Sequence, residues 1–550
     1  MSHLSHGKML IAITKLRSTT VIFALFEKNV VLLIRCLGMG CRAHRIFCPR
    51  LVNILLLGVA ITTLHITWRL YYLGTNVKPI CGVKETIIRD FHKQWCRMHR
   101  WRVDWETMAK PCEGQVAWNQ RQVNSDRRTD ARRSFIKGWE ILPAGHFSRF
   151  YIQSVTKNGR IKTSGGDAWR IYIRQGPASL APQVWDHNNG MYEVVFLVME
   201  PGTYTAQITL DFTLCDGLRE PPVDWFIRGT IQGKYQPDGI LGYIGDDSIL
   251  ESLGGQSTFT FSVQQNGDLI TDASLTQSSL ANTAMNCGVS CNLLQNGFGR
   301  WISGVWRPYA QGSNSTIVEG RQVAPADTLW IYGDSVSQRF LKSLQSRGIC
   351  KKHFQKCTSS YMWVYELTSE QEAKTKFEPN DFNETIVLQH MADILDSPDM
   401  TTHNSVFLFN LGVHFSISLN FTTYRRLIDN IVKLLKSKTI EKNGDMAIPI
   451  WKTTTSIEKE NVHKMYAELP TNLTHWRFHT HQRLELFHKY AVSAMCKARI
   501  PVLDVYPMTA SYPNGTLDHV HYSDNVQRAA EDQLITFISD ELKRRKREKN

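Results

Sequence analysis

The sequence predicts an α/β domain on a mostly parallel sheet at the C-terminus, preceded by an all-β sandwich and a single N-terminal transmembrane helix. Three observations predict it. Apolar runs alternate with helix-period stretches over the last 225 residues or so. Period-two alternation fills about Trp139 to about Val263. A 23-residue stretch, Leu51 to Leu73, carries a single charge, Arg69. At 550 residues the chain exceeds what one core supports, so several domains are expected.

Taken from the N-terminus, residues 1–50 hold eight Lys/Arg against one Glu. Arg42, Arg45 and Arg50 lie just before the apolar stretch, so the positive-inside rule puts this tail in the cytosol and the remainder in a lumen or outside the cell. Arg69 can snorkel, and Trp68, Tyr71 and Tyr72 suit a membrane interface. Residues 51–73 are therefore read as a type II signal anchor, with cleavage of that helix left open. Five N-x-S/T sequons, at Asn314, Asn383, Asn420, Asn472 and Asn514, all follow the helix, as glycosylation in a lumen requires. Of twelve cysteines, Cys36, Cys41 and Cys48 precede it and nine follow. An odd number leaves one free or bridging two chains.

The formal charge is +14, of which the first 50 residues contribute +7 and residues 541–550 contribute +4. The body between is close to neutral, which argues against a nucleic-acid partner. The terminal KRRKREK reads as a solvated disordered tail.

Residues 74–135 mix Trp, Arg and three cysteines without a clean period and are expected to form a partly structured stem. In the span 136–265, Trp169, Ile171 and Ile173 alternate with Arg170, Tyr172 and Arg174, and the same period continues through Tyr192–Val198 and Tyr204–Leu214. Turn signals at Asp186-His187-Asn188-Asn189-Gly190 and Pro201-Gly202 separate these runs, which gives a two-sheet sandwich. No active site is apparent there, so packing, spacing, or glycan and protein contact is its expected role. Residues 266–325 form a polar connector with Cys287-x3-Cys291, read as disulfide-forming in a secretory compartment rather than as a zinc site.

Residues 326–540 carry the chemistry. The run Leu329–Tyr332 reads as a buried strand, ending at Gly333-Asp334-Ser335, after which Val336, Phe340, Leu341 and Leu344 recur at helical spacing. Ser335 thus sits at a strand-to-helix turn, at the carboxyl end of a sheet, with its own amide facing a developing oxyanion. Further strands are expected at 405–410, 446–451 and 500–505, with helices at 421–437 and 481–497. Asn410-Leu411-Gly412 follows one strand directly, and the Asn amide can supplement that oxyanion site. After the last strand comes Asp518-His519-Val520-His521, where Asp518 can hold His521 in the tautomer that accepts a proton from Ser335. An H-x-H pair at 519 and 521, with His479, His481 and His488 upstream, lacks the carboxylates and spacing of a hydrolytic zinc centre, so no metal is expected.

These residues resemble the neurexophilin and PC-esterase domain (NXPE) family. The features are the membrane anchor, the sandwich, WIYGDSVSQRF, and IPVLDVYPMTASYPNGTLDHVHYS. The resemblance covers roughly 75–540 and implies an Ig- or filamin-like sandwich followed by an SGNH/GDSL-type PC-esterase domain. It implies glycan O-acetyl chemistry in the Golgi or ER lumen or at the cell surface, on a glycan or glycoprotein, as a transferase or an esterase. It makes Ser335 the nucleophile, Asp518 and His521 its partners, and Asn410 with Gly412 the oxyanion segment, supported by Gly333 and Asp334. No cofactor is tightly bound in such enzymes, and a transferase would draw on an acetyl donor such as acetyl-CoA. Relatives often carry Arg three residues after the serine, whereas here Gln338 stands there and Arg339 follows. No separate oxyanion glycine is assigned. The alternative reading is a non-catalytic, membrane-anchored adhesion or ligand protein that binds partners through the sandwich.

Overall fold

The computed structural model describes residues 80–120, 126–222, 249–265, 287–309, 325–362, 382–461 and 475–549. Residues 88–550 pack as one unit, and every contact given below lies within it. The expected membrane span, the three cysteines before it, and the sequons at Asn314 and Asn472 lie outside the described residues. Among the described residues no helix is long and apolar enough to cross a membrane.

The expected stem opens with helix α1 (Ile80–Trp101). Trp95, Met98 and Trp101, three residues apart, form a stripe that packs with Phe147, Trp185, Val195 and Leu197. Interleaved arginines hid that stripe in the sequence. Arg97 pairs with Glu193 at 2.6 Å, and Arg102 with the buried Asp504 at 2.9 Å.

The sandwich strands are β1 (Phe135–Glu140), β2 (Phe147–Gln153), β3 (Ala168–Gln175), β4 (Ser179–Leu180), β5 (Gln183–Asp186), β6 (Met191–Leu197) and β7 (Gly202–Phe212). Two more, β8 (Glu251–Ser252) and β9 (Phe259–Val263), return to β7. One sheet runs β1-β2-β6-β5. Its Phe150, Ile152, Val194 and Phe196 share a core with Ile171, Ile173, Tyr204, Ala206 and Ile208 of the other. Each of the Val, Ile and Phe side chains among them stabilises the fold by about 1.5–3 kcal/mol on burial.

The region expected to be a separate connector is divided between both domains. β10 (Leu293–Gln295) pairs parallel to β17 (Val502–Leu503) in the α/β sheet. β11 (Gly299–Ile302) and β12 (Val305–Pro308) extend the second sandwich sheet, in the order β12-β11-β4-β3-β7-β8. Trp301 and Trp306 explain the placement, since both are buried against the α/β core.

The α/β sheet is six-stranded and parallel throughout, in the order β10-β17-β16-β15-β13-β14. Its remaining strands are β13 (Ala326–Gly333), β14 (Phe354–Tyr361), β15 (Val406–Phe409) and β16 (Ile448–Lys452). Its helices include α2 (Ser335–Ser346), α3 (Glu384–Asp396), α4 (Phe421–Glu441), α5 (His481–Lys497), α6 (Tyr506–Ala510) and α7 (Arg528–Lys549), beside the short Ile349–His353 and Val413–Ser418. Within β15, Phe407 and Phe409 point to the face covered by α3, α4 and α5, while Val406 and Leu408 point to the face covered by α2 and α7.

The C-terminal tail is helical, not disordered: α7 continues to Lys549. Lys543–Asp540, Arg544–Glu541 and Arg545–Glu541 pairs support its last turns, and Arg545 donates to the His403 carbonyl at 2.8 Å.

Among the described residues eight cysteines form four disulfides, Cys96–Cys287, Cys112–Cys215, Cys291–Cys496 and Cys350–Cys357. Cys287 and Cys291 thus bond to distant partners, tying α1 and α5 to the segment between the domains.

Candidate active site

Strand β13 delivers Ser335 to the carboxyl edge of the sheet. Gly333 is required there by close approach: a Cβ on it would meet the Ser337 side chain and, at 3.0 Å, the Asn410 carbonyl. Asp334 caps α2 by accepting from the Val336 N–H at 3.0 Å. Ser335 is the first residue of α2, where backbone N–H groups have no helical acceptor and the macrodipole favours negative charge.

The structure brings together three residues expected to act together. His521 Nε2 lies 2.8 Å from Ser335 Oγ across 186 residues of sequence. His521 Nδ1 lies 2.7 Å from Asp518 Oδ2. With the Nδ1 proton directed at the carboxylate, Nε2 is an acceptor for the serine hydroxyl. Asp518 Oδ1 accepts from the backbone N–H of Val520 at 2.7 Å and of His521 at 2.8 Å. Partial burial pushes the Asp518 carboxyl up, but the His521 side chain and these two amides outweigh it and hold it well below the usual carboxylate range.

Asn410 stands at the carboxyl end of β15, next to β13, and its N–H donates to the Tyr332 carbonyl at 2.9 Å. Its side-chain NH2 donates one bond, 2.8 Å, to the Lys452 carbonyl, while its Oδ1 is buried with no hydrogen-bond partner among the described residues. Gly412 is forced by packing, since a Cβ there would meet Thr454 Cβ at 2.5 Å. Gln338 is bonded to Ser359 at 3.0 Å, whereas Arg339 lines a depression beside His521 with Phe340, Thr455, Tyr522 and Gln527. The one glycine between Ser335 and Asn410 in the sequence is Gly348, just after the end of α2, so no glycine of that interval is assigned to the oxyanion site.

Lys452, at the end of β16, was not foreseen as a site residue, although a lysine closing an apolar strand was a usable signal. Its Nζ is buried without a hydrogen-bond partner among the described residues and faces Asp334. Burial lowers its pKa to about 8, and burial likewise raises that of Asp334.

His519, at two residues' remove from His521, does not join the dyad. Its ring packs edge-on to His479 at 5.2 Å, and burial lowers its pKa to about 4. Among the described residues no three His, Cys, Asp or Glu side chains are placed to hold a metal. The sequon residues Asn383, Asn420 and Asn514 are all exposed. Asn383 and Asn420 cap helices through Oδ1, which leaves Nδ2 for a glycan.

Residues 128–213 match the family model described as Filamin/ABP280 repeat. The sandwich contains a filamin-type repeat. Among solved structures, the chain is similar to the Lin-41 filamin domain, at 17% identity over 17% of this chain and 92% of that one, with a TM-score of 0.14. It is also similar to an acetyl xylan esterase, AlAXEase, at 12% identity over 38% of this chain and 98% of that one, with a TM-score of 0.23. A third likeness, to the protein YxiM from Bacillus subtilis, has 10% identity over 76% of this chain and 93% of that one, with a TM-score of 0.21. At TM-scores this low none of the three carries the functional reading below.

Proposed function

We propose that the chain is a serine-dependent esterase or O-acyltransferase of the NXPE type, acting on acetyl esters of glycans in the lumen of the secretory pathway. The observation that carries this reading is the continuous hydrogen-bonded row from Ser335 Oγ through His521 to Asp518. Ser335 gives its proton to His521 Nε2 as Oγ attacks the ester carbonyl carbon, and Asp518 stabilises the imidazolium. The Ser335 N–H and the Asn410 amide bind the tetrahedral oxyanion at the start of α2. On collapse the C–O bond to the leaving alcohol breaks, that oxygen takes the proton from His521, and an acyl-serine remains. Water resolves it in an esterase and a sugar hydroxyl in a transferase, whose acyl group comes from a donor such as acetyl-CoA.

The luminal placement draws support from four disulfides and three exposed sequon asparagines, with residues 51–73 as the membrane anchor. A fluorophosphonate probe tests the chemistry on the full chain. Wild type is expected to label at one serine and Ser335→Ala not at all. A folded, glycosylated wild type that does not label overturns the proposal in favour of a partner-binding protein.

A further inference from the structure

Outward-facing side chains of the filamin repeat run directly into the loop that carries Asp518 and His521. In β3, Trp169, Ile171 and Ile173 fill the sandwich core, so Arg170 and Arg174 project from the opposite face. Arg174 Nη1 pairs with Glu458 Oε1 at 2.5 Å, and its Nη2 donates to the Ala510 carbonyl at 3.3 Å. Its guanidinium lies 3.7 Å from the Tyr172 ring centroid, which fixes its plane. Neither partner of the pair is loose, at 14% and 6% side-chain exposure.

Glu458 then holds the loop from both ends. Its Oε2 accepts from the Thr516 N–H at 3.1 Å and from Asn461 Nδ2 at 2.7 Å, and lies 3.2 Å from the Thr516 hydroxyl. Its backbone N–H donates to the His519 carbonyl at 2.9 Å. Asp518 sits between those two anchor points, and the Thr516 hydroxyl lies 2.8 Å from the Asp518 carbonyl. Gly515 makes room for the carboxylate: its φ is +63°, and a Cβ on it would meet Glu458 Oε1 at 2.5 Å. Two more bonds from the same sheet reach the chain just upstream. Ser179 Oγ donates to the Ser511 carbonyl at 2.6 Å, and Trp301 Nε1 to the Met508 carbonyl at 2.8 Å.

We propose that Arg174, supplied by the filamin repeat, is a positioning residue for the Asp518–His521 dyad, acting through Glu458 on residues 515–519. The site of the α/β domain is then incomplete without the repeat. This rests on the reading of Ser335 as nucleophile, since alignment with a spectator serine would have no consequence for rate.

The test uses the full chain and two readouts. Hydrogen exchange over residues 512–523 reports the clamp whether or not the protein is an enzyme, and the fluorophosphonate labelling rate reports its effect on chemistry. Arg174→Ala is expected to speed exchange in 512–523 while leaving β13 and α2 unchanged. It is also expected to slow labelling by about tenfold to a hundredfold, in the maximal rate rather than the half-saturating probe concentration. Arg174→Lys is expected to recover most of that loss. Arg174→Ala combined with Glu458→Gln is expected to be no slower than the worse single variant, because both break one chain of contacts. Unchanged exchange over 512–523, additive losses, or a deficit that Arg174→Lys does not relieve overturns the proposal. If Arg174→Ala does not fold, the isosteric Glu458→Gln carries the same two readouts. If wild type does not label, the nucleophile reading fails while exchange still decides the clamp.

Discussion

Asn410 and Lys452 end neighbouring strands, and one hydrogen bond joins them: the Asn410 amide donates to the Lys452 carbonyl. That bond occupies one N–H of the amide and leaves the other for an oxyanion. Asn410→Ala is therefore expected to slow probe acylation on the order of 10²-fold with little change in half-saturating concentration. Lys452 opposes the buried charge of Asp334. Replacing it by Met leaves that carboxyl buried without its cation, and a loss on the order of 3 kcal/mol is expected in denaturant unfolding at neutral pH. Because the Lys452 charge is present below about 8 and lost above it, the wild-type labelling rate should show an alkaline limb near that pH that Lys452→Met lacks. Asp518 titrates in the opposite sense. Its folded pKa lies below its unfolded one, so its contribution is present above the unfolded value, about 4, and is lost as pH falls through the folded value. The stability gap between wild type and Asp518→Asn should narrow, by the same measurement, as the pH falls below about 4.

At the scale of elements, the site is set by where strands end. β13 and β15 are parallel neighbours in register, so Gly333 and Asn410 emerge side by side. Gly333→Ala should push α2 away from Asn410 and cost labelling rate more than stability, a split read by combining the probe assay with thermal unfolding. Much of this arrangement was legible. Helix α5 was expected at 481–497 and spans those residues, because buried apolar side chains recur along it from Leu484 through Phe487, Tyr490 and Ala491 to Met495. Strand β3 was legible from its alternation of Trp169, Ile171 and Ile173 with arginines. What was not legible shares one physical cause, periodicity overlaid by polar residues that have specific partners. The stripe of α1 is interrupted by Arg97, which reaches Glu193, and is followed at once by Arg102, which reaches Asp504. The end of α7 looked disordered because its basic residues are paired three and four positions back. Of the site, Ser335, Asp518 and His521 could be read from local motifs. Glu458 and Arg174 could not, since their meaning depends on a contact between positions 284 apart in sequence.

At the scale of the molecule, the polypeptide between the two domains is itself structural, and its disulfides should rank by what they hold. Cys291 precedes β10, a three-residue edge strand paired only to the two-residue β17, and its bond to Cys496 closes a separation of 205 residues. Without that bond β10 is held by two backbone pairings and by Leu293 and Leu294, which are only partly buried against the α/β core. Its departure would uncover β17 and the buried Asp504 that follows it, at the start of the segment that leads through α6 to the Asp518–His521 loop. Cys350–Cys357 spans 7 residues, from the short helix Ile349–His353 to β14, a strand already held by long parallel pairing to β13. Loop-closure entropy grows with the length enclosed, so the two bonds should not be equivalent. Replacing Cys291 and Cys496 together by Ser is expected to lower stability by about 2–5 kcal/mol and to speed hydrogen exchange in β10 and residues 504–523. The same replacement at Cys350 and Cys357 should cost less and leave exchange in 504–523 unchanged. Equal losses in thermal unfolding of the two double variants would show that β10 is held in the sheet by its packing rather than by its covalent tie.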